Sequence, residues 1–341
     1  MKKEKTTRVR FLDFARGFAV FSMFLQHCMI LHEKTAGEGD TILGNIFVLA
    51  GTTPAAPVFM LLLGVFFMKS EMDTKHHIFR GAKLLLLGYL LNLLRFTIPA
   101  AIAGTGQISY SPDESPISLL FAVDILQLAG LFLFCAPFLK KYAHARFFLP
   151  ILIFFVLWLS PFLWGKFSHM PVFAPLWGVG RNVYFPLFPW IVYPLLGMYL
   201  SKYLFEEGAA AKASKTFFGV GIGCAGMGFL LSDVFPVGDY YRSGLGIHLV
   251  IMGFVFVWLP LCLVASKKIS SDNRILRVFF FWSERVTSVY CVQWILFGWS
   301  LLIFGENKQS DLVAALIGML VLILTHQIVK HQKIQGMFSW I

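Results

Sequence analysis

Long apolar runs alternate with short charged or Gly/Pro-rich breaks along the whole chain. Ten runs stand out: 11–31, 45–68, 81–103, 118–139, 147–164, 184–204, 216–235, 243–266, 283–304 and 311–330. Each approaches the roughly 20 residues that a helix needs to cross a hydrocarbon core. The pattern predicts an all-α polytopic membrane protein with about ten transmembrane helices. The breaks are short, so 1–341 reads as a single integral-membrane domain, with a short basic tail at 1–10. The first run does not read as a cleavable signal, because Asp13 and Arg16 interrupt its start and no small-residue cleavage site follows. The sixth run carries Pro186, Pro189 and Pro194. Proline removes a backbone donor and kinks a helix. Broken spans are tolerated where the backbone lines a protein-enclosed cavity; an ordinary kinked helix fits the pattern as well.

Composition agrees with the pattern. A chain of 341 residues would ordinarily suggest about two soluble domains. Here 57% of residues are hydrophobic and only 14% charged, with 37 Phe and 9 Trp, which no soluble surface could hide. Cys28, Cys135, Cys224, Cys262 and Cys291 all lie in apolar runs without paired spacing. They read as small buried hydrophobes, not as a disulfide or zinc framework. No repeat of fixed period is visible.

The formal charge of +11 has a topological distribution. Twenty-one Lys and Arg fall in the tails and the even-numbered loops, among them Lys69, Lys75, Arg80, Lys83, Lys140, Lys141, Lys267 and Lys268. Five fall in the odd-numbered loops: Lys34, Lys166, Arg181, Arg242 and Lys308. By the positive-inside rule both termini are expected in the cytoplasm, so the basic excess implies the lipid bilayer as partner and no nucleic acid.

Charged groups within spans are costly and usually face a cavity or a partner. Arg16 and His27 are eleven residues apart, within about 20° of three full helical turns. They share one face of the first run, separated by roughly 16 Å along its axis, with Asp13 on the same face. Counting along the helices puts His27, Arg95, Asp124 and His248 in one outer layer of a core about 30 Å thick. Arg16, Arg80, Lys83 and Arg285 form a second layer at the cytoplasmic edge. Plainer readings exist: an interhelical hydrogen bond for His248, a structural ion pair for Arg95 with Asp124, and topology signals for Arg80 and Lys83.

The first run reads Leu12-Asp13-Phe14-Ala15-Arg16-Gly17 and then reaches His27. This resembles the opening of the transmembrane acyltransferases, the acyltransferase-3 family and the heparan-α-glucosaminide N-acetyltransferase-like membrane proteins. Their first helix carries L-D-x-x-R-G and, ten or so residues after the Arg, a His. Ala56-Pro57-Val58-Phe59 through Gly64 resembles the family's second helix, and Asp124-Ile125-Leu126-Gln127 through Gly130 its I-L-Q-x-x-G element. Pro186 to Trp190 with Gly197 is similar to the P-W-…-G element of the heparan-type branch. The stretch Ser283–Trp294, with Ser288, Tyr290 and Gln293, resembles the late S-x-x-x-Y-x-x-H/Q helix.

The resemblance implies transfer of an acyl group, usually acetyl, from cytoplasmic acyl-CoA to a sugar, glycan or other cell-surface acceptor on the far side. It implies acetyl-CoA as co-substrate, no tightly bound cofactor and no metal. A basic ring of Arg16, Arg80, Lys83 and Arg285 would hold the CoA phosphates by charge-assisted hydrogen bonds. His27, with an unperturbed pKa near 6.5, would exchange a proton with the acceptor or carry the acyl group. Asp124 would orient the imidazole and Arg95 would steady the oxyanion. Gln127, Trp190, Tyr290 and Gln293 are the substrate-binding candidates. A multi-pass transporter or flippase of a lipid-linked or small polar substrate would share the spans, broken helices and buried charges. It would also be expected to show paired broken segments in its two halves, and none is convincing here.

Overall fold

The computed structural model describes residues 9–35, 41–105, 114–167, 170–205, 207–232, 240–270 and 272–331. Lys2, Lys3, Lys5 and Arg8 of the expected basic tail, and Lys333, lie outside the described residues. In chain order the helices are α1 (Arg10–His32), α2 (Ile42–Thr52), α3 (Ala56–Lys69), α4 (Thr74–Asn92), α5 (Ile98–Ala103), α6 (Pro116–Leu120), α7 (Ile125–Lys140), α8 (Phe148–Leu163), α9 (Ala174–Trp177), α10 (Leu187–Trp190), α11 (Val192–Leu204), α12 (Glu207–Ser232), α13 (Leu245–Lys268), α14 (Arg274–Glu284), α15 (Val286–Phe304) and α16 (Asp311–Lys330). No strand is present among the described residues, only two isolated bridges. The protein is an all-α integral membrane protein.

Among the described residues, seven stretches are long and apolar enough to cross a membrane: Arg10–His32, Ile42–Lys69, Thr74–Ala103, Gly208–Ser232, Leu245–Lys268, Val286–Phe304 and Asp311–Lys330. In lipid every backbone polar group must be satisfied within the protein, which is why apolar runs of this length become helices. The fourth and fifth runs form the shorter apolar helices α7 and α8. The sixth is broken, with extended backbone at Phe188 inside the short α10, ahead of α11. Proline at 186 and 189 accounts for the break, while Pro194 is accommodated within the first turn of α11.

Three elements depart from the ten-run reading. The fourth run is not one helix: α6 ends at Leu120, the chain is extended, and α7 begins only at Ile125. In the gap Val123 N donates to Asn182 O at 2.7 Å and Tyr184 N donates to Val123 O at 2.8 Å, so a neighbouring loop supplies the partners that a helix would have. The second run is divided between α2 and α3 at residues 53–55, around Pro54. A separate helix, α14, precedes α15, which starts at Val286 and not at 283. Its one-sided pattern buries Leu276, Trp282 and Ser283 and leaves Ile275 exposed.

α1 is the hub and packs against α2, α3, α13, α14, α15 and α16. α3 and α11 approach backbone to backbone: a Cβ on Gly64 would overlap the Pro194 carbonyl, and one on Gly197 the Leu61 carbonyl. Between α4 and α5 the helix widens into a π turn, Leu93–Thr97. Gly298 of α15 sits against this turn, where any Cβ would overlap the Arg95 carbonyl. Beyond α1 the chain pairs with the α15–α16 loop through Asn307 N to Leu31 O (3.1 Å), Gln309 N to His32 O (2.8 Å) and Lys34 N to Gln309 O (3.0 Å).

Candidate active site

Two irregular segments meet near the end of the bundle where α1 finishes. The first is the π turn, which carries Arg95; such insertions often mark functional positions. The second is the half-helix α7. Asp124 is its N-cap: the carboxylate accepts from Ile125 N at 2.7 Å. The Gln127 amide oxygen accepts from Asp124 N at 3.1 Å, and its nitrogen donates to Ala122 O at 3.2 Å. A capping box of this kind satisfies amide groups that a helix start leaves orphaned.

Arg95 Nη2 lies 2.7 Å from Asp124 Oδ2, with the two side chains 1% and 7% exposed. Tyr290 of α15 donates its hydroxyl to the same Oδ2 at 2.6 Å. Asn92 Oδ1 accepts from Arg95 Nε and Nη2, while its Nδ2 donates to the carbonyls of Leu120 and Ala122. The guanidinium lies 4.3 Å from the ring centroids of both Phe96 and Trp294. A buried charge needs a partner and further hydrogen bonds to offset its desolvation, and this cluster supplies both. Arg95 Nη1 nonetheless has no hydrogen-bond partner.

Trp294 connects the cluster to α1. Its ring centroid lies 4.1 Å from that of His27. His27 Nδ1 is 3.3 Å from the Gln293 side-chain nitrogen. The Gln293 oxygen and Trp294 Nε1 are buried without partners. Buried polar groups are nearly always hydrogen-bonded, so two unmatched groups beside one imidazole, with Arg95 Nη1 behind Trp294 a third, are unusual.

A cavity of about 440 Å³ opens beside His27. Its walls include Gln26, Ile30 and Leu31 of α1, Asp124, Phe96 and Trp294. Loop residues complete it: Glu114, Arg181, Asn182, Tyr184, Phe185, Tyr241, Glu306, Asn307 and Lys308. Sequence reasoning missed these loop residues, since no periodicity marks them. The walls mix carboxylate, amide, cationic and aromatic groups, which suits a polar ligand with apolar faces. No group of three or more His, Cys, Asp or Glu side chains placed to hold a metal ion occurs among the described residues.

The expected outer layer therefore divides. His27, Arg95 and Asp124 come together around Trp294. His248 does not join them: its Nδ1 lies 2.8 Å from the Tyr193 hydroxyl, at the α11–α13 contact. Asp124 spends its carboxylate on Arg95, Tyr290 and the α7 cap, and the side chain in hydrogen-bond reach of the His27 ring is Gln293. Gln127 and Tyr290 serve the Asp124 cluster and do not line the cavity. Trp190 is fully buried, with Nε1 donating to Tyr241 O at 2.8 Å. It backs the cavity wall through Phe185 and Tyr241 and does not face the cavity itself.

At the end where α1 begins, Arg16 Nη1 donates to Ser283 O at 3.2 Å and lies 3.9 Å from Asp13 Oδ1. Its guanidinium covers the Phe66 ring at 4.1 Å. Ser283 Oγ donates to Asp13 Oδ1 at 2.9 Å. Arg16 thus clamps α1 to the α14–α15 joint. Arg285, at the same joint, pairs with Glu284 at 2.9 Å and covers Phe281. Lys83 covers Phe79 on its own helix. Arg80 lies on α4, with Nε buried and unpartnered. The described contacts bring Arg16 and Arg285 to one joint and leave Arg80 and Lys83 on another helix.

Residues 8–228, more than half of the chain, match a family model described as heparan-alpha-glucosaminide N-acetyltransferase, catalytic. No curated protein and no solved structure matches the chain. The matched stretch contains Arg16, His27, Arg80, Lys83, Arg95, Asp124, Gln127 and Trp190; Arg285, Tyr290 and Gln293 lie beyond it.

Proposed function

The chain belongs to the heparan-α-glucosaminide N-acetyltransferase catalytic family, and we propose that it is a membrane acetyltransferase taking its acyl group from acetyl-CoA. The donor is presented from the cytoplasm, and the acceptor is a sugar, glycan or other cell-surface group on the opposite side. In this reading the chain is one domain of ten spans in a bacterial cytoplasmic membrane, with both termini cytoplasmic, as the distribution of Lys and Arg favours. Kinship with the acyltransferase-3 proteins is part of the proposal, carried by Leu12 to Gly17 and His27.

The observation that carries the proposal is His27 on the wall of the cavity, held between Trp294 and Gln293. An imidazole exchanges protons near neutral pH. His27 takes the proton from the acceptor hydroxyl or amine as that atom bonds to the thioester carbonyl carbon. The C–S bond breaks, and the departing thiolate takes a proton to become the CoA thiol. His27 can equally carry the acetyl group between two such half-steps.

Gln293 suits both roles of the ring. With its amide nitrogen on Nδ1, as seen here, the imidazole proton sits on Nε2 and the ring is a donor. With the amide reversed, the oxygen accepts Nδ1–H and Nε2 becomes the base. Trp294 Nε1 and Arg95 Nη1, both without partners, are the nearby donors for a developing oxyanion. Arg16 and Arg285 remain the candidates for the donor's entrance, with Arg16 roughly 16 Å along α1 from His27.

The test is release of CoA thiol from acetyl-CoA by the purified protein, with and without an amino sugar as acceptor. Thiol release that needs His27 supports the reading. Its absence under all acceptors, alongside uptake of a lipid-linked or small polar solute into proteoliposomes, would favour the transporter.

A further inference from the structure

A second cluster of unmatched groups lies at the other end of the bundle, where α3, α4 and α7 meet. His77 is 3% exposed, and neither of its ring nitrogens has a hydrogen-bond partner. Its ring rests on Phe67 of α3, centroids 4.6 Å apart. Lys140, at the end of α7, lies 5.4 Å from the centroid of the same Phe67 ring and donates to Ser70 O at 2.7 Å. Arg80 is three residues beyond His77 on α4, hence on the same face. It is half-buried, with Nε enclosed and unpartnered.

Lys140 and Arg80 both lie close enough to act electrostatically on the His77 ring. Among the described residues neither is in ion-pair contact with a carboxylate. The acidic side chain nearest in sequence, Asp73, caps α4 and pairs with the exposed His76; it reaches the His77 ring only at electrostatic range. His77 and Lys140 share the Phe67 ring, Arg80 lies one turn along α4 from His77, and both imidazole nitrogens and Arg80 Nε are buried without partners. The cluster thus gathers two cations and three unmatched nitrogens, with no carboxylate among the described residues in ion-pair contact with either cation. Buried nitrogens are seldom left in that condition. The chemistry that completes the set is an anion with several oxygens, and a phosphate fits it best.

We infer that His77, Arg80 and Lys140 form an anion subsite that holds a phosphate group of the CoA donor. This rests on the acetyl-CoA reading above and revises its expected ring of Arg16, Arg80, Lys83 and Arg285. Phe66 and Phe67 are neighbours at the end of α3; Phe66 carries Arg16 and Phe67 carries His77 and Lys140. A phosphate beside Phe67 therefore sits one residue around α3 from the arginine that leads along α1 toward His27.

The experiment is calorimetric titration of the full-length protein, in neutral phosphate-free detergent, with CoA, pantetheine and pyrophosphate. The variants are Lys140→Gln, Arg80→Gln and His77→Asn, each checked for an unchanged elution profile and thermal midpoint. Loss of one charge-assisted contact is expected to weaken CoA binding by about tenfold or more. Pyrophosphate should weaken in parallel, and pantetheine binding should not change. Lys140 is partly exposed at a helix end, so its variant keeps the test available if the other two fail to fold.

Wild-type binding of CoA that all folded variants retain would overturn the subsite while leaving the acetyltransferase reading intact. Pyrophosphate binding that depends on these residues, without any CoA binding, would uphold an anion site and sink the donor reading. Loss of co-purified phosphatidylglycerol from the variants by native mass spectrometry, with CoA affinity unchanged, would assign the site to a lipid headgroup and overturn its assignment to CoA.

Discussion

Arg95 Nη2 is bound to Asp124 Oδ2 at 2.7 Å, which ties a π turn in one interrupted helix to the first residue of a half-helix in another. The pair does not sit on two regular spans facing each other. Each partner comes from a place where the helix is broken, and Asn92, beside the π turn, holds the carbonyls of Leu120 and Ala122 at the break before α7. Irregular backbone at membrane depth is tolerated when it lines a protein cavity, and Asp124 lines this one.

Asp124→Asn leaves the Arg95 charge without its counter-charge in a buried setting. Removing one member of such a pair costs about 3–5 kcal/mol. Tyr290→Phe removes one hydrogen bond to a charged group, worth about 1.5–3 kcal/mol. Thermal unfolding in detergent should therefore rank Asp124→Asn well below Tyr290→Phe. Equal midpoints would show that the ion pair contributes little.

Gln293→Leu removes the only described hydrogen-bond partner of the His27 ring while keeping a side chain of similar length. The expected result is a fall in kcat with little change in KM for acetyl-CoA, together with an altered pH–rate profile. Gln293→Glu retains an acceptor for Nδ1–H and should recover part of the rate with the acid limb displaced. A wild-type pH profile in the Leu variant would reduce Gln293 to packing.

Gly298→Val tests the close approach behind the cluster. Its side chain would overlap the Arg95 carbonyl, and overpacking of this kind costs about 1–3 kcal/mol. Activity should fall with stability, because the π turn must move. Gly226→Ala is the control: nothing lies within 4 Å of a Cβ there, and a helical Gly-to-Ala change is expected to gain about 0.5–1 kcal/mol. Loss of activity in the control and not in Gly298→Val would contradict the packing account.

Much of this was legible in the sequence where periodicity carries the signal. The eleven-residue spacing that puts Arg16 and His27 on one face needs only helical geometry, and α1 runs unbroken from Arg10 to His32. The half-helix was hidden because residues 118–139 are apolar apart from Ser118, Asp124 and Gln127; the one signal was Asp124 followed three residues later by Gln127, which is a capping-box pattern. α14 was hidden because 267–282 falls between two runs as a basic break, and only its last residues, Ser283 and Glu284, fall in the run after it. Tyr184, Tyr241 and Glu306 reach the cavity from loops, where neither spacing nor hydropathy says which way the chain turns. Trp190 and Gln127 matched family motifs, yet the first packs behind the wall and the second caps a helix.

Topology is checked by single cysteines placed at Lys34, Lys75 and Lys141 and labelled with a membrane-impermeant maleimide in intact cells. Lys34 should label from outside, and Lys75 and Lys141 only after permeabilisation, as the distribution of Lys and Arg requires. The five native cysteines are buried or half-buried and serve as the background. The reverse pattern would put the cavity beside His27 on the cytoplasmic side and remove the basis for transfer across the membrane.

The most direct test replaces His27 with Ala and measures acetyl transfer and CoA affinity on the same preparation. Proton transfer by a positioned side chain contributes about 10²–10⁴-fold, so transfer should fall by at least the lower figure. The CoA dissociation constant and the thermal midpoint should stay close to wild type, because the proposed phosphate subsite lies at the far end of α1. That split is the signature of lost chemistry and not of lost binding. Wild-type transfer in the His27→Ala protein would contradict the catalytic assignment.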